Sequence, residues 1–394
     1  MTPIRLAVVA SHPIQYFAPL YRALARHPGI DLRVFFLSRQ GLAPGLDAKM
    51  GVSVAWAMDL TGGYPHDFLL SPDKRRNVER LLGSDAPTLG RHLRRFEPQA
   101  VLVHGYAHIV CLRAIFWSWW RRLPLLMISD GSFDAGSGRM RLALKHLILP
   151  KLLARVSAFL PLGERGERFL RGWGVGPDKL HRLPLAPAEP FMQPRDGARE
   201  ALRRAWGVGE GDIVILAVGK LYKEKRVGDL IEALAGLEPP PDRRILCVIA
   251  GDGALRGEWE ARARELDIPA LFPGFVNLDR LPDFFRAADI FVHPAEREQY
   301  GIAVLEAACA GLPLVMSDRV GALAPTDVAR EGLNALGYPA GDVSRLRDAL
   351  HRLIADRALR SRMGRASRAI TAHHTPDHGA QAVFRALHQQ QAST

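Results

Sequence analysis

The sequence contains few cysteines and no long uninterrupted hydrophobic run. Of its 394 residues only Cys111, Cys247 and Cys309 are cysteines, and they lie far apart with no CxxC pair. This excludes a disulfide framework and a cysteine-built zinc site, and a reducing compartment is expected. The most apolar later stretch, 109–129, is interrupted by three arginines and Pro124. Because a bilayer-spanning helix needs roughly 20 apolar residues, we expect no membrane span.

Three sequence signals are also missing. Residues 1–10 lack the length and the cleavage region of a secretory signal, so we expect a cytoplasmic protein. No Asp-x-Asp pair occurs in the chain, which disfavours a divalent cation held by such a motif. Neither half has a GxGxxG fingerprint after its first strand, and this argues against a hydride-transferring enzyme.

Positive charge is concentrated in the first half of the chain. Residues 1–195 hold 27 Lys and Arg against 14 Asp and Glu, a balance of +13, whereas residues 196–394 hold 26 against 27, a balance of −1. This asymmetry predicts an anionic partner for the first half, or merely a solubilising surface. The aromatic-basic run 117–122 and the basic helix 139–155 favour an anionic membrane surface, although core packing would also explain the tryptophans. No nucleic-acid-reading motif is present, so nucleic acid is not expected.

Short β-branched runs alternate with helical periodicity along the whole chain, which predicts an α/β fold of two Rossmann-like, doubly wound domains. We expect an N-terminal domain over 1–190, a C-terminal domain over 191–375, and a helix over 376–394 that packs on the first domain. The proline-rich segment 184–197 is the expected linker. Ligands bind at the carboxyl ends of such sheets, so the cleft between the domains is the expected site.

The individual elements follow from the same pattern. Strands are predicted at 4–10, 32–37, 100–104, 125–129, 156–161, 213–218, 245–250, 290–293 and 314–316. Helices are predicted at 14–26, at 139–153 with an interruption or end near Pro150, and at 164–172; others begin near Val227, Gly257, Leu281, Gly301 and Asp342. Residues 41–87 are predicted to be an irregular surface excursion.

Two glutamates lie eight positions apart across a predicted loop-to-helix junction. A helix that begins near Gly301 offers free backbone N–H groups to an anion, with Glu298 before it and Glu306 about one and a half turns inside. Apolar neighbours surround Glu306 in the sequence. We therefore expect a buried carboxyl group that needs a partner.

A second pattern follows the strand at 213–218. Gly219 is followed by Lys220 and Lys225 in a loop before a helix, an arrangement suited to phosphate, although such a loop is often only a solvated turn. Gly251 and Gly253 form a turn after the next strand, where backbone can approach a ligand closely.

Together these segments resemble the GT-B glycosyltransferases of family 4, a retaining group that uses nucleotide-sugar donors. Residues 298–306 match the family's EX7E motif, and 218–231 resemble its GRLxxxKG loop. Residues 251–253 resemble its GDG turn, and 273–276 its base-side segment. The resemblance covers nearly the whole chain and is densest over 213–335.

The resemblance implies a role for each of these residues. Lys225 and Lys220 would bind the diphosphate. Lys220 lies where family members usually have arginine, so the positive charge is kept but the paired donors of a guanidinium group are not. Glu306 would hold the ribose hydroxyls and Glu298 would contact the donor sugar. The remaining expected donor contacts are the backbone of Gly251, Gly253, Tyr300, Gly301, Ile302 and Ala303, and Phe275 and Val276 beside the base.

The first half departs from the family pattern. Ser11 and His12 stand where family members often have two glycines after the first strand, and Asp130 stands where they often have a histidine. Asp130 is a candidate base or a stabiliser of the oxocarbenium-like centre. His104, at the preceding strand end, is a second candidate, and a structural histidine is an equal alternative.

The expected function is therefore retaining transfer of a hexose from a nucleotide-diphosphate sugar to an acceptor hydroxyl, in polysaccharide, lipid-linked glycan or glycolipid synthesis. No metal or cofactor is expected, and the protein is expected in the cytoplasm, with an anionic inner membrane face as a partner. Alternatives are a nucleotide-sugar epimerase or phosphorylase on the same fold, and a non-catalytic nucleotide-sugar or nucleic-acid-binding protein.

Overall fold

The computed structural model describes residues 2–70, 84–129, 139–238, 241 and 243–392. The chain divides into two compact units. Unit 1 comprises Met1–Ala43, Asp59–Ala186 and His374–Thr394. Unit 2 comprises Pro44–Met58 and Pro187–His373, so it includes a short segment that interrupts unit 1 in the sequence.

Unit 1 is built on a six-stranded parallel sheet in the order β5-β2-β1-β6-β7-β8. Its strands are nearly all buried, as expected for parallel sheets with helices on their faces. They are β1 (Ile4–Ala10), β2 (Ile30–Phe36), β5 (His66–Phe68), β6 (Ala100–His104), β7 (Leu125–Ser129) and β8 (Ala158–Pro161). Its helices are α1 (Ala18–Arg26), α2 (Leu89–Phe96), α3 (Ile109–Arg121), α4 (Arg139–Ala154), α5 (Glu164–Gly172) and α14 (Pro376–Ala392).

Unit 2 repeats this plan with the sheet order β11-β10-β9-β12-β13-β14, and adds the antiparallel hairpin β3 (Gly45–Asp47) and β4 (Val52–Val54). Its sheet strands are β9 (Ile213–Val218), β10 (Ile245–Ala250), β11 (Ala270–Gly274), β12 (Ile290–His293), β13 (Leu314–Ser317) and β14 (Ala335–Tyr338). Its helices are α6 (Glu189–Met192), α7 (Ala198–Ala205), α8 (Val227–Ala235), α9 (Arg256–Glu265), α10 (Leu281–Ala287), α11 (Ile302–Ala310), α12 (Val343–Ala355) and α13 (Arg357–Thr371).

Both sheets have the doubly wound strand order, in which the first strand of the sheet is central and the order reverses beside it. The predicted fold class is therefore confirmed. Six strands, at 4–10, 100–104, 125–129, 213–218, 245–250 and 290–293, have their predicted bounds, because continuous β-branched runs mark buried parallel strands clearly. The strands predicted at 32–37, 156–161 and 314–316 differ from β2, β8 and β13 by one or two residues at one or both ends.

Four sequence predictions were wrong in detail. Helix α1 begins at Ala18 rather than residue 14, since Pro19 fits only the first turn of a helix. Helix α4 continues through Pro150 to Ala154. The region 41–87 is not wholly irregular, because it contributes β3, β4 and β5, whose three-residue lengths leave almost no periodic signal. The linker contains the short helix α6.

The C-terminal helix α14 belongs to unit 1 and packs on α1. Arg26 forms an ion pair with Asp377 at 3.5 Å, and the ring of Phe384 lies 4.2 Å from that of His27. His374 Nδ1 donates to the carbonyl of Leu185 at 2.9 Å. In the part of the chain that the structure describes, no helix combines the length and apolarity needed to cross a bilayer.

A buried ion pair ties α7 to the sheet of unit 2. Arg203, only 4% exposed, donates to Asp289 at 2.8 Å and to the carbonyls of Ala287, Gly209 and Asp212. Asp289 also accepts from the amide of Val214 at 2.8 Å. Because Arg203 is buried, its charge depends on these acceptors.

Replacing Asp289 with alanine should lower the free energy of unfolding by about 3–5 kcal/mol, because it leaves a buried guanidinium without its carboxylate. Urea unfolding of the full chain, followed by circular dichroism, measures this. The control is Asp348→Ala, at an exposed position of α12, which should change stability by less than about 0.5 kcal/mol. Equal losses in the two variants would contradict the role of the buried pair.

Candidate functional site

The carboxyl ends of β9 and β10 lie unusually close together. Gly251 has φ +146°, and a Cβ there would lie 1.8 Å from the carbonyl oxygen of Gly219. The amide of Gly219 donates to Ala250, and that of Gly251 donates to Gly274, at 3.0 and 2.8 Å. Only glycine allows this approach, so the turn at 251–253 presents bare backbone at this edge of the sheet.

Helix α11 begins at the same edge of the sheet, after β12. Gly301 is its N-cap residue, with φ +94° and no side-chain cap, and the first turn holds no acidic residue. The first amide groups of a helix have no intrahelical acceptor, so those of Ile302 and Ala303 are available to an anion. The carbonyl of Tyr300, in contrast, accepts from the amide of Ala322 at 3.0 Å and is used by the fold.

Lys225 and Glu298 form an ion pair. Lys225 ends a 3₁₀ turn after β9, and Glu298 lies in the loop between β12 and α11. His293, the last residue of β12, lies 3.2 Å from the same Glu298 oxygen. Because an ionised carboxylate only accepts hydrogen bonds, His293 donates through a protonated Nε2.

The protonation states of this cluster are set by burial and by its partners. Burial opposes the charge of Glu298, but His293 and Lys225 together lower the pKa of that carboxyl to about 2. Burial also lowers the pKa of His293. At neutral pH the cluster therefore holds one cation, one anion and a neutral imidazole, fixed in a half-buried position.

Glu306 lies inside α11 and is only 5% exposed. Neither of its oxygens has a hydrogen bond or an ion pair with the residues that the structure describes. Burial raises the pKa of this carboxyl to about 8. The expected buried carboxyl group is present, and its missing partner is the feature that a bound ligand would supply.

The segment 44–58, which contains the β3–β4 hairpin, covers part of the same edge. Asp47 forms an ion pair with Lys220 at 2.6 Å. The other Asp47 oxygen accepts from the amides of Lys49 and Met50 at 3.0 and 3.1 Å. Burial opposes the Asp47 charge, but these hydrogen bonds and Lys220 hold the pKa of the carboxyl below its ordinary value.

A second contact joins this segment to the predicted base-side residues. The ring of Trp56 lies 6.0 Å from that of Phe275, edge to face, and Val276 follows Phe275 in a half-buried position. Asn277 clamps the backbone on either side of Trp56, donating to Ala55 at 2.5 Å and accepting from Ala57 at 3.0 Å. The predicted residues of unit 2 thus occur along one sheet edge, together with the segment 44–58, which the sequence predicted only as part of an irregular surface excursion.

The predicted residues of unit 1 occur around a cavity of about 310 Å³. Ser11 and His12 bond to each other at 3.0 Å, and His104 bonds to Tyr21 at 2.8 Å. Burial lowers the pKa of His12 to about 4 and that of His104 to about 3, so both are neutral at physiological pH. Asp130 lies outside the described residues.

Sequence reasoning missed four residues of unit 2. The sequence did contain a signal for His293, since it is a polar residue at the carboxyl end of a buried central strand, where ligands bind in such sheets. Asp47, Trp56 and Asn277 had none, because their contacts join parts of the chain about 170–220 residues apart.

The chain is similar to known proteins in sequence and in structure. Residues 198–370 match the family model of glycosyl transferases group 1. Alpha-D-kanosaminyltransferase of Streptomyces kanamyceticus is 32% identical over 213 residues, which cover 53% of this chain and 54% of that protein. The chain thus spans about half the length of this curated relative.

Solved structures are similar over nearly the whole chain. Anabaena Alr3699/HepE in complex with UDP has a TM-score of 0.74 and 16% identity, covering 98% of this chain and 100% of that one. WaaG, a glycosyltransferase involved in lipopolysaccharide biosynthesis, has a TM-score of 0.64 and 18% identity, covering 97% and 98%. The chain therefore has the two-sheet GT-B fold, and residues 198–370 match the group 1 glycosyl transferases in sequence.

Proposed function

We propose that the protein is a retaining glycosyltransferase that moves a sugar from a nucleotide-diphosphate donor, with UDP-sugars the first candidates, to an acceptor hydroxyl. The observation that carries this proposal is the unpartnered buried carboxyl of Glu306 on the helix whose free N-terminus adjoins the Lys225–Glu298 pair. The group 1 match over 198–370 and the UDP complex of a structural neighbour support it.

The leaving group of this reaction is a nucleoside diphosphate, so the main catalytic task is to stabilise negative charge as it develops. Lys225, Lys220 and the amides of Ile302 and Ala303 supply positive charge and dipoles for this. Glu298, ionised and held by His293, orients Lys225 and offers an acceptor to the sugar hydroxyls.

The nucleoside end uses the other groups along the same edge. Glu306 accepts hydrogen bonds from the ribose hydroxyls, which would satisfy a carboxyl that has no hydrogen bond or ion pair with the described residues. Phe275 and Val276 flank the base, and the bare backbone at Gly251 and Gly253 lets the nucleotide approach the sheet.

Retention follows if the acceptor attacks from the face that the diphosphate leaves, with a phosphate oxygen taking the acceptor proton. This course requires no protein nucleophile. It also requires no metal if the lysines and the N-terminus of α11 stabilise the negative charge of the leaving diphosphate. Asp130 is the candidate base or stabiliser of the oxocarbenium-like centre. The cavity lined by Ser11, His12 and His104 is the candidate acceptor site.

The acceptor is proposed to be a growing glycan or a lipid-linked sugar. The excess positive charge of residues 1–195 and the exposed aromatic positions Phe116 and Trp120 on α3 support a peripheral association of the cytoplasmic protein with anionic lipid.

The proposal is tested by release of nucleoside diphosphate from UDP-, GDP- and ADP-sugars in the presence of EDTA, with the anomeric configuration of early products read by NMR. We expect EDTA-resistant release with retention.

Lys225→Ala should lower kcat by about a hundredfold or more, since one donor to the developing charge is lost. The control is Lys223→Ala, an exposed lysine of the same turn, which should keep its activity. Epimerisation of the donor without release would instead select the epimerase, and loss of turnover in EDTA would contradict metal independence.

Affinity for UDP should depend on pH through Glu306. In the free protein this carboxyl is protonated below about pH 8, and ribose hydroxyls bind its ionised form. Affinity should therefore rise with pH up to about 8, by at most about tenfold per unit, and level off above it. Calorimetric titration with UDP from pH 6 to 9 measures this. Glu306→Gln should bind more weakly and lose the dependence near pH 8, and an unchanged pH profile in this variant would contradict the assignment.

Asp47 should compete with the donor diphosphate for Lys220. Asp47→Asn keeps an oxygen for the amides of Lys49 and Met50 but removes the charge, so UDP should bind several-fold more tightly. Titration of this variant against Asp196→Asn, at an exposed position of unit 2, checks the expectation. Weaker binding in Asp47→Asn would show instead that Asp47 holds Lys220 in its working position.

A further inference from the structure

A large arginine-lined pocket lies at the other end of the unit 2 sheet. It has a volume of about 810 Å³, within the range of small-molecule sites. Its lining includes Asp212, Asp289 and Pro313, the residues immediately before β9, β12 and β13. The candidate donor site follows the carboxyl ends of the strands, so the length of a strand, roughly 20 Å, separates the two places.

Seven arginines line this pocket. Four are half-buried: Arg199, Arg243, Arg286 and Arg360. Three are exposed on one face of α13: Arg357, Arg365 and Arg368. The acids among the described lining residues are Glu210, Asp212 and Asp289. Of these, Asp212 pairs with Arg244, outside the lining, whereas Asp289 pairs with Arg203, outside the lining, and with Arg199, inside it, so the three acids offset only part of the charge of the seven arginines.

Several guanidinium groups are held by backbone carbonyls, which fix their position without cancelling their charge. Arg199 donates to the carbonyls of Arg286 and Ala288 at 2.7 and 2.9 Å, in addition to its pair with Asp289. Arg360 donates to Leu353 and Ile354 at 2.5 and 2.9 Å.

The two remaining anchored groups follow the same pattern. Arg286 donates to the carbonyl of Gln193 at 2.8 Å, and Arg368 to that of Ala310 at 3.1 Å. Each of these hydrogen bonds restricts an arginine side chain without cancelling its charge.

The pocket walls are also closely packed around these charges. A Cβ on Gly364 of α13 would lie 2.4 Å from the carbonyl oxygen of Gly311, so α13 directly contacts the end of α11. Burial lowers the pKa of Arg360; the charge of Asp289 opposes this shift, while the neighbouring charges of Arg243 and Arg357 add to it. Like charges held together in one concave surface favour an anion that bridges them.

We propose that this pocket binds a compound with a diphosphate or a similar pair of phosphate groups, at a site separate from the candidate donor site. Guanidinium groups bind phosphate through paired, charge-assisted hydrogen bonds, and at least two phosphate groups are needed to span arginines from α7, α10 and α13. The ligand is a soluble phosphate compound or the phosphorylated headgroup of a lipid, since both carry this chemistry.

Pyrophosphate is the probe, titrated calorimetrically at constant ionic strength into the Lys225→Gln protein, so that binding at the candidate donor site is weakened and is the same in every variant compared. Arg357 and Arg365 have no hydrogen bond or ion pair with the described residues, so replacing both by glutamine breaks no contact of the fold. We expect this double variant to bind pyrophosphate at least about tenfold more weakly.

The matched control is Arg345→Gln with Arg362→Gln, two exposed positions on α12 and α13 outside the pocket lining, which removes the same charge. It should bind pyrophosphate as the parent does. Equal weakening in the two double variants, or none in either, would overturn the proposal. Flotation with phosphatidylglycerol vesicles that depends on Arg357 and Arg365 identifies a lipid headgroup, and pyrophosphate binding without such flotation identifies a soluble compound.

Discussion

The ion pair between Lys225 and Glu298 is the interaction on which the candidate site depends. It joins the loop after β9 to the loop that leads into α11, and so it holds the cation close to the start of that helix. His293 bonds to the same carboxylate from the end of β12 and keeps it ionised. In the proposed function, Lys225 and Glu298 form a preorganised group for a diphosphate.

The charges of unit 2 are concentrated at the two edges of its sheet, although its net charge is small. Residues 196–394 are nearly neutral, yet the lysines at the carboxyl edge of the sheet are paired with carboxylates, and the arginines at the amino edge are held mainly by carbonyls. In the proposed function, a diphosphate would therefore exchange one anionic partner for another at the first edge. At the second edge Asp212 and Asp289 offset only part of the positive charge of the arginines.

The strands and the glycines of the site were predictable, because their causes are local. Continuous β-branched runs identify buried parallel strands, and Gly219, Gly251 and Gly301 follow them where backbone must turn sharply. The hairpin at 44–58 was not predictable in the same way. Its three-residue strands have no measurable period, and its attachment to unit 2 depends on Lys220, Phe275 and Asn277, far along the chain.

The sequence by itself determined the doubly wound fold, the sheet edge at which the candidate site lies and the residue types that occur there, since these depend on patterns within one strand-loop-helix unit. Only the tertiary structure decided which charges pair and which remain without a partner. Burial and distance, which the sequence does not contain, raise the pKa of Glu306, which has no hydrogen bond or ion pair among the residues that the structure describes. They also give Lys220 an anionic partner in Asp47, and bring arginines from three helices into one pocket.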